Sequence, residues 1–123
     1  MPKTLRRKEI DEASMRLAEK KPSILKALAH PVRIAVFETL ADGEKTVGDL
    51  VALLGEKNSN TSRHLSVMRN AGLVETRRDG LNIYYSIKLT SLLPLLSFLD
   101  NGVCEIAEEQ SKVAKLLRAK AAK

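Results

Sequence analysis

The feature that most constrains this chain is a helix that stops at Ala71-Gly72 and gives way at once to two strand-like runs around Asp79-Gly80. Leu73–Arg78 and Leu81–Ile87 are the two runs, and Asp-Gly between such runs is a strong hairpin signal. Upstream, Thr46 is an N-cap candidate with Asp49 three residues on. Val47, Leu50, Val51 and Leu54 follow at helical spacing, and Gly55 stops the run. After a turn at Glu56-Lys57, the polar residues Asn58–Ser62 lead into a helix ending near Asn70. Two short helices joined by a Gly-containing turn predict a helix-turn-helix over 46–70, and the hairpin that follows predicts a wing over 73–87.

The rest of the chain reads as helix, so the predicted fold class is mainly α: one winged helix-turn-helix domain over 1–123 with a two-stranded β-wing and long terminal helices. A first helix is predicted over 4–21, ended by Pro22. Ser23 would cap a short helix over 24–29, which His30-Pro31 closes, and Pro31 can start the next helix through Leu40. A last helix is predicted over 90–120, capped by Thr90 or Ser91, with Pro94 tolerated in its first turn. Leu92, Leu96, Leu99, Val103, Ile106, Gln110, Val113 and Leu117 alternate spacings of four and three, an a/d seam. Such a seam either packs on the protein's own core or joins two protomers. Its register outlasts the core that a small winged domain can offer, which favours a homodimer, with Gln110 as a polar register residue. Asn101-Gly102 either breaks the helix or lies within it.

With +6 formal charge over 123 residues, an acidic partner is expected, nucleic acid first. The excess is concentrated over 57–88, with six Lys/Arg against two Asp/Glu, whereas 27–56 is acidic. Aromatics are only 3%, which argues against stacking platforms for single strands and points to a helix on a duplex. A single cysteine permits no internal disulfide and no zinc ribbon. No stretch approaches the ~20 apolar residues of a membrane span, and the charged N-terminus lacks an apolar signal core. The expectation is a cytoplasmic protein without a membrane partner. No Ser/His/Asp or Cys/His set and no Gly-rich phosphate loop supports an enzyme.

With Leu65 pointing inward, a step of 100° per residue puts Thr61, Met68 and Gly72 on the same side and Ser59, Arg63, Ser66 and Asn70 opposite. Recognition helices meet bases with their N-terminal residues, so Asn58, Ser59 and Arg63 are the candidate base contacts and Ser62 and Ser66 the candidate phosphate contacts. Asn58 or Ser59 also suits an N-cap, and capping is compatible with contact. Arg77 and Arg78 beside the hairpin turn, with Asn82 beyond, are candidate wing contacts to phosphate or the minor groove. His64 falls on the rim of the core as a hydrogen-bonded structural residue, and His30-Pro31 reads as a helix break plus cap.

Leu28-Ala29-His30-Pro31-Val32-Arg33, Thr61-Ser62-Arg63-His64-Leu65, Met68–Val74 and Arg77-Arg78-Asp79-Gly80 with Tyr84-Tyr85 together resemble the ArsR/SmtB family of bacterial winged-helix repressors over about half the chain. The resemblance implies a homodimer on a double-stranded operator, released by an inducer, and its polar recognition positions match the contacts named above. Leu81 stands where the family often has a further basic residue. The family's thiolate sensors carry Glu-Leu-Cys-Val-Cys-Asp-Leu where this chain reads Glu44-Lys45-Thr46-Val47-Gly48-Asp49-Leu50. Its zinc sensors use His residues on the last helix, and the only two here are His30 and His64. Neither metal site carries over, so no cofactor or metal is expected and the inducer is unknown.

Cys104 admits three roles: a small buried hydrophobe, a redox switch whose thiolate would face Glu105, Glu108 and Glu109, or an inter-subunit metal ligand. Two further functional classes stay open, a winged-helix module that docks proteins and a single-thiol sensor acting through Cys104. A polar, Arg-bearing recognition face argues against the first, because docking faces are more often apolar.

Overall fold

The computed structural model describes residues 7–121, with side chains from residue 11. The elements are α1 (Arg7–Leu28), α2 (Pro31–Leu40), α3 (Val47–Leu54), α4 (Asn58–Asn70), β1 (Val74–Asp79), β2 (Asn82–Ile87) and α5 (Leu92–Ala121). They form two compact units, one ending at Leu89 and the other starting at Thr90. The first is a mainly helical winged helix-turn-helix.

α1 corrects the sequence-based expectation. Its predicted start at Thr4 lies outside the described residues, and it runs unbroken through Pro22 to Leu28. Proline in a helix interior removes one backbone hydrogen bond and crowds the carbonyl four residues back, at a cost of about 3 kcal/mol. Here both Pro22 and Ala18 are exposed, so water can serve the freed carbonyl. Continuing the helix also carries Ala27 and Leu28 into the core, where α1 packs on α2 and α4. Ser23 is therefore a mid-helix residue and caps nothing separate.

The next three helices start and stop on local signals. His30 caps α2, its Nδ1 accepting from the Val32 N–H at 3.1 Å, with Pro31 in the first turn. Thr46 and Asp49 form a reciprocal capping box on α3, and Gly55 closes that helix in the left-handed region at φ 71°. α4 ends in a Schellman motif: Leu73 N–H donates to Met68 O, Gly72 N–H donates to Arg69 O, and Gly72 has φ 83°. Val36, Phe37, Leu50, Leu65, Met68, Leu73 and Val74 are buried to within 1%. Each large side chain among them contributes roughly 1.5–3 kcal/mol of burial. This core fixes the inward side of α4 and leaves its other side to solvent.

The wing is an antiparallel pair in the register Val74↔Ile87 through Asp79↔Asn82. Asp79 belongs to the ladder, so the two-residue turn is Gly80-Leu81, one position beyond the Asp79-Gly80 centre read from the sequence. Gly80 has φ 63° and, among the described residues, no non-glycine residue has positive φ, the signature of a type II′ turn with glycine first. Lys45 pairs with Tyr85 through both backbone bonds, tying the base of the wing to the segment before α3.

In the second unit, α5 is one helix of 30 residues, about 45 Å long, with Pro94 in its first turn and Asn101-Gly102 within it. Leu92 and Leu96 are buried. Leu99, Val103, Ile106, Val113 and Leu117, the apolar seam positions beyond them, are all more than half exposed. No described helix is long and apolar enough to cross a membrane.

Candidate nucleic-acid interface

α4 presents two chemically opposite sides. Thr61, His64, Leu65 and Met68 are buried, while Asn58, Ser59, Arg63, Ser66, Arg69 and Asn70 are exposed and Ser62 is half-buried. The helical-wheel assignment thus holds along α4 itself, and Gly72 lies past the helix at its left-handed stop. The N-cap is Lys57, which makes no side-chain cap bond. Asn58 and Ser59 are therefore the first two helical residues, a correction to the expectation that one of them caps. The first-turn N–H groups of α4 point out of the helix without a side-chain cap, and the helix dipole adds positive potential there.

Arg63 is not a free side chain. Its Nη2 donates to Asn60 Oδ1 at 2.6 Å, and Asn60 Nδ2 donates to Glu56 Oε2 at 2.9 Å. Neither Glu56 nor Asn60 was among the candidates; Asn60 and Arg63 stand three residues apart on α4, a spacing that brings helical side chains together, whereas Glu56 lies ahead of the N-cap Lys57.

His64 has the structural role expected of it. Arg33 Nε donates to His64 Nδ1 at 3.0 Å, and the same guanidinium reaches the carbonyls of Lys26 and Ala27 through Nη1. One arginine thereby joins the C-terminal turn of α1 to α2 and to the recognition helix. The His30 and His64 ring centroids lie 4.4 Å apart. Burial holds the His64 pKa below its ordinary value, and the electrostatic influence of His30, Arg33 and Arg63 adds to that against Glu56. The imidazole is accordingly a neutral acceptor.

On the wing, strand alternation sends Arg77 and Arg78 to opposite faces. Arg77 lies over the Tyr84 ring at 4.8 Å and pairs with Glu44, Nε donating to Oε2 at 3.1 Å and Nη2 donating to Oε1. Its side chain is 52% exposed. Arg78 and Asn82 are exposed, and among the described residues Arg78 has no ion-pair partner. The two arginines that sit side by side in sequence are therefore in different electrostatic states.

Cys104 is exposed on α5, so of its three candidate roles that of a small hydrophobe buried within the protomer does not hold. Among the described residues no group of three or more His, Cys, Asp or Glu side chains is arranged to hold a metal.

Comparison with known proteins matches a helix-turn-helix domain model to residues 28–77. An uncharacterised HTH-type transcriptional regulator of Mycobacterium tuberculosis is 36% identical over 100 residues, 80% of this chain and 88% of that protein. The likeness therefore extends well beyond the motif. The crystal structure of the transcriptional repressor BigR from Xylella fastidiosa superposes with a TM-score of 0.61 at 33% identity, over 77% of this chain and 93% of that one. A homodimeric winged helix-turn-helix DNA-binding domain from Mycobacterium bovis, a possible ArsR-family transcriptional regulator, superposes with a TM-score of 0.66 at 28% identity. It covers 85% of this chain and 92% of that one.

Proposed function

This chain belongs to the ArsR/SmtB-type winged helix-turn-helix transcriptional regulators, and we propose that it is a repressor that binds an inverted-repeat operator as a homodimer and leaves it when an inducer binds. The observation that carries this reading is the exposed side of α4. Asn58, Ser59, Arg63 and Ser66 project from a helix whose opposite side is sealed in the core, and none of them is used as its N-cap. In the proposed complex the N-terminal half of α4 enters the major groove, with Asn58, Ser59 and Arg63 on base edges and Ser62 and Ser66 on phosphates. Arg78 and Asn82 on the wing hold the adjacent backbone, which orients the helix without reading sequence. The role is one of binding rather than catalysis.

Dimerisation is supported by the exposed seam Leu99–Leu117 on α5 and by the homodimeric relative. Exposed apolar side chains at four-three spacing gain most from a second copy of the same helix. Two-fold symmetry would then demand half-sites one helical turn apart, about 34 Å centre to centre.

Repeated selection from a randomised duplex library tests the reading. The expected result is enrichment of an inverted repeat with that spacing. Binding that enriches no sequence would contradict sequence-specific recognition, and enrichment of a single unrepeated site would contradict the symmetric dimer.

A further inference from the structure

We propose that Glu56 and Asn60 form a positioning relay that orients the Arg63 guanidinium on the recognition helix and thereby sets how sharply one base pair is discriminated. The proposal rests on the reading of Arg63 as a base contact. Its own evidence is the chain of two hydrogen bonds from Glu56 through Asn60 to Arg63. A carboxylate can only accept and a guanidinium can only donate, so the group between them must do both. A primary amide does so in one orientation alone. Glu56 Oε2 takes the Nδ2 hydrogen, which turns Oδ1 toward Arg63 Nη2. Glu56 and Asn60 are half-buried and Arg63 is exposed, so two restrained groups anchor one that would otherwise sweep through solvent.

The choice of amide rather than carboxylate matters for function. Arg77 shows the alternative on the same molecule, where Glu44 takes both Nε and Nη2 of the guanidinium. Asn60 takes a single N–H of the five that Arg63 offers. The rest stay available for the O6 and N7 acceptors of a guanine, and Arg63 keeps its full charge. A restrained arginine also loses less rotamer freedom on binding, which corresponds to about a 2–10-fold gain per immobilised side chain.

The relay predicts effects on discrimination at one base pair rather than on binding in general. Fluorescence anisotropy would compare the operator obtained by selection with versions changed at single base pairs, at fixed salt. The proteins are the full chain and its Asn60→Ala, Glu56→Ala, Glu56→Gln, Arg63→Ala and Asn60→Ala/Arg63→Ala variants, with thermal melts as a fold check. Asn60→Ala and Glu56→Ala should reduce discrimination at the Arg63 base pair about 2–10-fold and leave the other positions and the salt slope at parent values. Glu56→Gln, whose amide oxygen still accepts from Asn60, should retain parent behaviour. Asn60→Ala should add nothing once Arg63 is alanine. If Arg63→Ala loses the discrimination and Asn60→Ala keeps it, or if Asn60→Ala adds its loss in the Arg63→Ala background, the relay is wrong and the base contact stands. If Arg63→Ala keeps parent discrimination everywhere, the base contact is wrong and the relay falls with it. Should Asn60→Ala fail to fold, the Glu56→Ala and Glu56→Gln pair decides: equal discrimination in both overturns the relay.

Discussion

Arg77 of β1 reaches Glu44, 33 residues earlier, in a two-pronged ion pair that ties the wing to the segment leading into α3. The pair lies beside the Lys45–Tyr85 bridge, so backbone and side chains fasten the same junction. It also withdraws one arginine of the wing from the charge that DNA would meet. Replacing Glu44 by Gln should release most of that charge, leaving only the longer 3.8 Å pair with Asp79. The expected outcome is a salt slope of log affinity against log salt steeper by about 0.9 per protomer, the contribution of one more neutralised phosphate. An unchanged slope would mean that Arg77 does not reach the backbone even without Glu44.

The same pair has a pH signature. The hydrogen bond from Arg77 holds the Glu44 carboxyl below its ordinary value of 4.5. A depressed folded-state value means that protons favour the unfolded chain, so the contribution is complete above about pH 4.5 and is lost as pH falls through the folded value. Both partners are well exposed, which keeps the effect small. Thermal melts between pH 3 and pH 6 should show a shallower acid loss for Glu44→Gln than for the parent, and parallel curves would contradict the assignment.

His64 should show a second window. Its folded-state value lies below the ordinary 6.5 because the ring is buried and faces His30, Arg33 and Arg63, with Glu56 the one acidic neighbour. Protonation therefore favours unfolding. Stability is complete above pH 6.5 and declines as pH falls below it toward the folded value. His64→Gln, which can still accept from Arg33, should flatten the melting curve through this range. A curve that still falls like the parent's would place the titrating group elsewhere.

The α5 seam makes a prediction about assembly. Leu99→Asp or Ile106→Asp would put a carboxylate into the proposed interface, where an unpaired charge is strongly unfavourable. Light scattering should report monomers for both variants, and a dimer unchanged in both would exclude this seam.

Cys104 supplies one thiolate per protomer, whereas tight binding of arsenite, cadmium or lead normally takes several. Cys104→Ser should leave operator affinity, and its response to these ions, nearly as in the parent. Release of operator by one metal equivalent per dimer from the parent but not from Cys104→Ser would instead make this thiol the sensor.

How much of this was legible in the sequence depended on the range of the interactions. α2, α3 and α4 were readable because Pro31, the Thr46/Asp49 box, Gly55 and Gly72 act on neighbours a few residues away. α1 was not, because burial of Ala27 and Leu28 outweighs the local breaker Pro22. The exposed side of α4 followed from helical geometry once Leu65 was placed inward. The Arg63–Asn60 pair obeys the same geometry, yet many such pairs are possible on any polar helix and spacing alone does not select one, and Glu56 joins it from the turn ahead of the N-cap. The Glu44–Arg77 pair left no sequence signal, since its partners meet only after the wing has folded back.

The central claim, that α4 reads sequence while the wing grips backbone, is tested most directly by measuring Arg63→Ala and Arg78→Ala against the selected operator and a panel of its single base-pair variants. Arg63→Ala should weaken the operator by about 1–3 kcal/mol and abolish preference at one base pair per half-site. Arg78→Ala should weaken every duplex alike and flatten the salt slope by about 0.9 per protomer. Parent-like binding of both variants across the whole panel would contradict the account.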